Sequence, residues 1–207
     1  MIDLHTTPTA NGLKASIMLE ETGYEYRVHK IALTKREHLS PGYLAINPVG
    51  RIPTIVDHDT ASGNPLTVYG TAAILLYLAE KSGKLLPADL EARARVFQWL
   101  GIIQADLGAA YTGQFVFNLL APEPMPWAVE HYNALCLRFI APIEQQLGAT
   151  RYIAGDEYTI ADVLGYPLAT VSMLRYPGNL DAYPNMRRWV AEVGARPAVQ
   201  RGMKVGT

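Results

Sequence analysis

The segment Arg51-Ile52-Pro53-Thr54-Ile55-Val56 predicts a short apolar strand that starts at a proline. Proline cannot donate to a strand ladder, so it is tolerated at the first residue of a strand, at an edge or at a bulge. Ile52, the residue before it, is restricted to an extended conformation. We hypothesise that the N–H and C=O of Ile52 pair with a peptide-like ligand, as an added strand does. The alternative is a strand that only happens to start with proline.

The chain before residue 85 alternates between strand and helix patterns. The order β-α-β-(short helix)-β-β-α predicts a mixed sheet with helices packed on it. The predicted strands are 2–5, 26–33, 53–56 and 65–69, and the predicted helices are 11–22, a short turn opened by Ser40-Pro41, and 71–81.

The chain after Pro87 carries helical patterns only, because the strand signals vanish there. We predict a boundary near residues 85–89, between domains at 1–84 and 90–207. The fold class is therefore α/β plus all-α. Thr159 and Asp162 have the spacing of a capping box, which is a structural role. The predicted helices are 90–111, 127–147, 159–174 and 184–195.

Composition excludes several functional classes. The net charge of -1 gives no reason to expect nucleic acid or an anionic membrane as a partner. The longest apolar run, 72–79, is far shorter than a membrane span, and the N-terminus lacks a signal-peptide pattern, so we expect a cytoplasmic protein. Cys136 is the one cysteine, and the histidines show no metal-ligand spacing, so we expect neither a disulfide nor a metal.

The turn before the first predicted helix, Thr7-Pro8-Thr9-Ala10-Asn11-Gly12, is the best candidate for chemistry. A helix N-terminus favours anions, and a thiolate there would be stabilised. Thr9 and Asn11 either donate hydrogen bonds to such an anion or cap the helix, which is their commoner use. The turn has no cysteine, so any thiol chemistry there requires a thiol from a small molecule.

Four motifs, taken in their order along the chain, resemble those of the glutathione S-transferase superfamily. They are most similar to the motifs of its bacterial nu-class and yeast prion-related branch. They are the turn from Thr7 to Lys14, Asn47-Pro48 with the segment 51–57, Ala-Ile-Leu-Leu-Tyr-Leu-Ala-Glu-Lys at 73–81, and Tyr-Thr-Ile-Ala-Asp at 158–162. The resemblance implies a thioredoxin-like glutathione-binding domain followed by an all-helical domain. It also implies a homodimer with the ligand in the cleft between the domains.

The resemblance also implies roles for individual residues. Pro53 would be cis, and the backbone of Ile52 would pair with the cysteinyl part of glutathione. Thr9 and Asn11 would face the glutathione sulfur as the catalytic residues. Such proteins are similar to glutathione-dependent transferases and, more closely, to glutathione-dependent disulfide-bond reductases.

Several positions depart from the family pattern. Gly70 and Thr71 stand where the family has Glu-Ser, and Gly70 cannot hold the ammonium of the γ-glutamyl arm. Thr71 can still donate from its hydroxyl and its backbone N–H to the carboxylate of the γ-glutamyl arm. Arg51 replaces part of a polar run, and His38 and His131 fall where the branch has a glutamine and an arginine; each histidine is either a ligand contact or a solvated surface residue.

These departures leave two functions open. The first is an enzyme that uses the thiol of bound glutathione. The second is a ligand-binding or non-catalytic protein whose affinity for glutathione is weakened or lost because Gly70 replaces the usual glutamate. The second substrate would be a small molecule beside residues 111–118 and 166–173. These apolar and aromatic segments either form a site for a hydrophobic ligand or belong to the core.

Overall fold

The structure is a computed structural model of the chain, and it describes residues 1–172 and 180–206. It divides into two compact units. The first contains residues 1–86 together with the C-terminal residues from Gly194 onward, and the second contains residues 87–193.

The first unit is built on a four-stranded mixed sheet. Its strands are β1 (Ile2–Thr6), β2 (Tyr26–Lys30), β3 (Thr54–Asp57) and β4 (Leu66–Tyr69), in the order β2-β1-β3-β4. β1 runs parallel to β2 and antiparallel to β3, and β4 is antiparallel to β3. The predicted mixed sheet is confirmed, although β2 ends at Lys30 because 3₁₀ turns occupy Leu33–Lys35 and Glu37–Leu39.

Three helices of the N-terminal segment accompany this sheet. They are α1 (Ala10–Thr22), α2 (Pro41–Ile46) and α3 (Thr71–Ser82). Alternate residues of β1 are buried, and α1 and α3 pack against each other. The core of this unit is formed by fully buried apolar side chains from β1, α1, β3 and α3, including Leu4, Ile17, Ile55 and Leu78.

The second unit is helical in the part that the structure describes, as predicted. A helical run begins with α4 (Leu90–Gly101), continues through a π-helical segment (Ile102–Leu107) into α5 (Gly108–Phe115), and ends in a second π-helical segment (Val116–Leu120). The run is followed by α6 (Pro126–Ala149), α7 (Ile160–Pro167) with a π-helical segment (Leu168–Ser172), a 3₁₀ turn (Leu180–Ala182) and α8 (Pro184–Gly194). The predicted continuation to Leu174 lies outside the described residues.

The capping box at the start of α7 is present. The Thr159 backbone N–H donates to Oδ2 of Asp162 at 2.9 Å. Oδ1 accepts from the N–H of Ile153 at 3.0 Å and from Nε1 of Trp189 at 2.9 Å. Burial raises the pKa of Asp162 to about 6, although these hydrogen bonds act in the opposite direction. Asp162 therefore links α7 to α8 and to the preceding loop.

The C-terminus departs from the predicted division into 1–84 and 90–207. A helix that the sequence analysis missed, α9 (Pro197–Gly202), packs on α1 within the first unit. Ser16 Oγ donates to the Gly202 carbonyl at 2.8 Å. A Cβ at Gly202 would lie 2.6 Å from Cα of Ile17, so glycine is required for this approach. The chain therefore returns to the sheet-containing unit after its helical part.

Candidate functional site

Three loops meet at one end of the sheet in the first unit. His5 near the end of β1 pairs with Thr54 at the start of β3, and Thr54 pairs with Tyr69 at the end of β4. The segments 7–11, 52–53 and 70–71 therefore all leave or enter the sheet at the same edge. This edge brings together six of the predicted site residues, namely Thr9, Asn11, Ile52, Pro53, Gly70 and Thr71.

The turn after β1 is fixed by Thr9 and Gly12. Oγ1 of Thr9 accepts from the N–H of Gly12 at 3.2 Å, so Thr9 is the N-cap of α1. A Cβ at position 12 would overlap the carbonyl oxygen of Thr7, so this turn requires glycine. A threonine hydroxyl has one donor and two acceptor sites. Capping uses an acceptor site and leaves the O–H free to donate, so the two roles weighed for Thr9 are compatible.

The side chain of Asn11 is held by Lys14, to which the sequence analysis assigned no role of its own. Asn11 is exposed on the first turn of α1, and Nζ of Lys14 donates to its Oδ1 at 2.9 Å. Oδ1 therefore faces the lysine and the Nδ2 donor faces away from it. Burial lowers the pKa of Lys14 to about 7.

Ile52 precedes β3 and its ladder. The Ile52–Pro53 peptide is cis, as the resemblance implied. β3 begins at Thr54, and within residues 1–172 and 180–206 neither the N–H nor the C=O of Ile52 has a hydrogen-bond partner. Both groups are therefore available to an extended ligand.

Two buried side chains hold the backbone on either side of this dipeptide. The Tyr43 hydroxyl donates to the Arg51 carbonyl at 2.7 Å and lies 2.9 Å from Oγ1 of Thr54. Asn47 Nδ2 donates to the same two oxygens, at 2.7 and 2.9 Å. The sequence analysis gave Tyr43 no role and named Asn47 only as part of a family motif. The available signal was an aromatic and a polar residue shortly before the proline.

Gly70 is the N-cap residue of α3. Gly70 has φ +86° and ψ 122°, and it makes no side-chain cap for α3. Thr71, the first helical residue, is buried. The first N–H groups of a helix lack partners within it, so this end can receive a carboxylate. Position 70 supplies no side chain to an ammonium group.

His38 and Arg51 also belong to the first unit. A Cβ on Gly50 would lie 3.1 Å from the His38 carbonyl oxygen, which places the Glu37–Leu39 turn beside Gly50, the residue before Arg51. Arg51 is exposed. Nδ1 of His38 is buried and lacks a hydrogen-bond partner among the described residues.

His131 lies in the second unit. It is exposed on α6, and its ring stacks on Trp127 with the centroids 5.1 Å apart. Of the residues suggested for the second substrate, Tyr111 and Gln114 are buried, whereas Phe115 is exposed. Met173 lies outside the described residues.

Other kinds of site find no support in the part of the chain that the structure describes. There, no three histidine, cysteine or acidic side chains are grouped so that they could bind a metal ion. No helix in the described ranges has the length and apolar character needed to span a bilayer. Cys136 is buried, and this burial raises the pKa of its thiol to about 12, so it is held in the unreactive thiol form.

Comparison with known proteins gives consistent matches. The model of the glutathione S-transferase N-terminal domain matches residues 10–81, and that of the glutathione S-transferase C-terminal domain matches residues 133–197. The Escherichia coli K12 protein named disulfide-bond oxidoreductase YfcG is 36% identical over 98% of this chain and 94% of its own length. The disulfide-bond oxidoreductase YghU of the same strain is 35% identical over 97% of this chain and 73% of its own length.

A solved structure agrees with these sequence matches. The glutathione transferase from Pseudomonas putida, with one glutathione disulfide bound per subunit, superposes with a TM-score of 0.94. It is 32% identical, and the match covers 100% of this chain and 92% of that one.

Proposed function

This chain belongs to the glutathione S-transferase family, and we propose that it is an enzyme that binds glutathione at the sheet edge of its first unit and uses the glutathione thiol. The observation that carries this proposal is that the backbone N–H and C=O of Ile52 have no partner among the described residues and lie at the same sheet edge as two side-chain donors that make no hydrogen bond there. Those donors are the Thr9 hydroxyl and Nδ2 of Asn11.

Each part of the site has a task in this proposal. The N–H and C=O of Ile52 pair with the cysteinyl residue of glutathione, as an added strand would. Thr9 and Asn11 donate to the sulfur at the N-terminus of α1, where a thiolate is stabilised. Thr71 and the first N–H groups of α3 receive the γ-glutamyl carboxylate. Arg51, His38 and His131 are proposed as outer contacts.

We assign the reaction to disulfide-bond reduction, because the two relatives above are named as disulfide-bond oxidoreductases. The glutathione thiolate attacks one sulfur of a substrate disulfide, and the other sulfur leaves as a thiolate that takes up a proton. A second glutathione then resolves the mixed disulfide, which yields glutathione disulfide and the second substrate thiol. The chain supplies orientation and thiolate stabilisation, and the electrons come from the two glutathione molecules.

A second function is favoured by Gly70. Without a side chain at this position, the γ-glutamyl ammonium has no carboxylate partner there, and the loss of such a bond costs about 1.5–3 kcal/mol. That energy corresponds to roughly 10- to 150-fold in affinity. A chain weakened to this extent would bind another ligand at the same sheet edge, or act without catalysis.

The proposal extends to the assembly, the substrate and the compartment. We propose a homodimer whose second substrate is a small hydrophobic disulfide, in a reducing cytoplasm where glutathione is abundant. Sedimentation equilibrium of the purified protein tests the dimer directly.

Calorimetric titration with reduced and oxidised glutathione separates the two functions. The enzyme predicts micromolar binding and glutathione-dependent reduction of bis(2-hydroxyethyl) disulfide. Thr9→Val keeps the side-chain volume but removes the hydroxyl, so it should lower turnover. If the native chain shows neither binding nor reduction, the enzyme proposal is wrong and the non-catalytic alternative takes its place.

A further inference from the structure

Lys14 is buried where a charged amine is energetically unfavourable. It lies on α1 with only 1% of its surface exposed. In residues 1–172 and 180–206, its ammonium has one hydrogen-bond partner, Oδ1 of Asn11 at 2.9 Å, and no carboxylate within ion-pair distance. Burying a charged amine without a counter-ion is strongly unfavourable. An apolar residue of this length would fill the same space without the cost.

Several charged groups on the elements packed against α1 are engaged away from Lys14. Asp3 on β1 pairs with His29 and His58. Arg196 and Arg201, before and within α9, pair with Glu21 and Glu20 at the far end of α1. Lys81 on α3 pairs with Asp57 at the end of β3. Burial is accordingly the one cause of the lowered pKa of Lys14, which falls to about 7. Within the described residues, Lys14 is therefore a buried amine without an anionic partner.

We propose that Lys14 is a positioning residue for the thiolate of bound glutathione, acting through Asn11. It fixes Oδ1 of Asn11 so that Nδ2 is presented to the sulfur, and its ammonium is the counter-ion of the thiolate. This inference rests on the proposed function, because it needs a thiolate at the N-terminus of α1.

The chemistry of the two groups supports this role. An amide can present either its carbonyl oxygen or its NH₂ group, and only the NH₂ group can donate to a thiolate. A protonated lysine has donors only, so it selects the oxygen and turns the NH₂ group outward. A nearby thiolate in turn favours the protonated lysine, so the two titrations are coupled.

Lys14→Met tests the inference, because methionine is unbranched, apolar and close to lysine in length. The pKa of the thiol of bound glutathione is measured from the ultraviolet absorbance of the thiolate as the pH is varied. We expect Lys14→Met to raise that pKa by about one unit. The kcat for disulfide reduction at neutral pH should fall by about threefold, because the loss of thiolate is partly offset by the greater nucleophilicity of a thiolate of higher pKa, and KM for glutathione should change little.

Two further variants distinguish positioning from general damage. Asn11→Ala should raise the thiol pKa as well, and the double variant Lys14→Met/Asn11→Ala should lose less than the sum of the two single variants, because only the direct effect of the ammonium charge remains to be removed once Asn11 is gone. Lys14→Gln keeps a neutral donor toward Asn11 and should give a thiol pKa between those of the native protein and Lys14→Met. Circular dichroism confirms that each variant is folded.

The outcomes separate this inference from the proposed function. If the native protein does not bind glutathione, the proposed function fails before any variant is made. If the native protein binds and Lys14→Met leaves the thiol pKa unchanged, Lys14 is structural and the inference is overturned. Additive losses of Lys14→Met and Asn11→Ala would overturn the route through Asn11.

Discussion

The side-chain amide of Asn47 donates to the backbone carbonyl of Arg51 across 2.7 Å. Tyr43 donates to the same carbonyl, and both side chains also meet Oγ1 of Thr54. Arg51 and Thr54 lie on either side of the Ile52–Pro53 dipeptide. Two buried residues before the strand therefore hold in place the backbone that we propose binds the ligand.

Tyr43→Phe should lower the affinity for glutathione, because it removes one of the two donors that hold this backbone. Asn47 still satisfies the Arg51 carbonyl, so the free energy of unfolding should fall by only about 1 kcal/mol. The double variant Tyr43→Phe/Asn47→Ala removes both donors to that carbonyl and should lose more than the sum of the single variants. Urea unfolding and calorimetry measure the two effects.

Tyr77→Phe is the matched control for Tyr43→Phe. The Tyr77 hydroxyl donates to Oδ2 of Asp57 at 2.7 Å, at the opposite end of β3. Its loss should destabilise the chain by about 1–2 kcal/mol without changing glutathione affinity. Equal affinity losses in the two variants would contradict the role given to Tyr43.

Gly70→Glu should raise the affinity for glutathione by roughly 10-fold or more, because it returns a carboxylate to the γ-glutamyl ammonium. A Cβ at position 70 meets no atom within 4 Å, so the side chain has room. The φ of +86° is unfavourable for any side chain, and the variant should lose about 1–3 kcal/mol of unfolding free energy.

Gly70→Ala carries the same backbone penalty without the charge. It should match the stability loss of Gly70→Glu and leave the affinity near that of the native chain. If Gly70→Ala and Gly70→Glu bind equally, the missing carboxylate is not what limits binding.

Gly12→Ala should disrupt the turn that carries Thr9. The added methyl group would overlap the Thr7 carbonyl, which is backbone and cannot rotate away. We expect a stability loss of about 1–3 kcal/mol and weaker glutathione binding. Gly101→Ala is the control, because that helical glycine has open space and alanine there should stabilise α4 by up to about 1 kcal/mol.

The sequence was informative where a pattern is local. Alternation in β1, the proline at position 53 and the capping box at Thr159 all depend on neighbouring residues, and each is found in the structure. α9 was missed because a six-residue helix is too short for a periodic signal, and it is defined by its contact with α1.

The missed parts of the site share a different cause. Lys14 lies within a run from Gly12 to Leu19 that is buried at every position, so helical periodicity could not show which face of α1 is enclosed. Tyr43 and Asn47 act on an acceptor at Arg51 across a turn, and only the folded chain shows that distance. The residues at the ligand were suggested by family resemblance, whereas the residues behind them required coordinates.

Lys14→Met should make the unliganded chain more stable near neutral pH. The pKa of Lys14 falls from 10.5 to about 7 on burial. A group whose pKa is lowered by folding adds stability above its unfolded pKa and loses that stability as the pH falls to the folded value. The native chain should therefore lose stability relative to Lys14→Met between about pH 10 and pH 7, by at most about 5 kcal/mol.

Urea unfolding of both proteins at several pH values across this range measures the difference. Lys35→Met, which changes an exposed lysine, controls for the loss of one positive charge from the chain. A difference between the native chain and Lys14→Met that does not change with pH would mean that Lys14 remains fully charged in the fold. Saturating glutathione should shrink the difference near pH 7, because the thiolate then provides the counter-ion that the buried ammonium lacks.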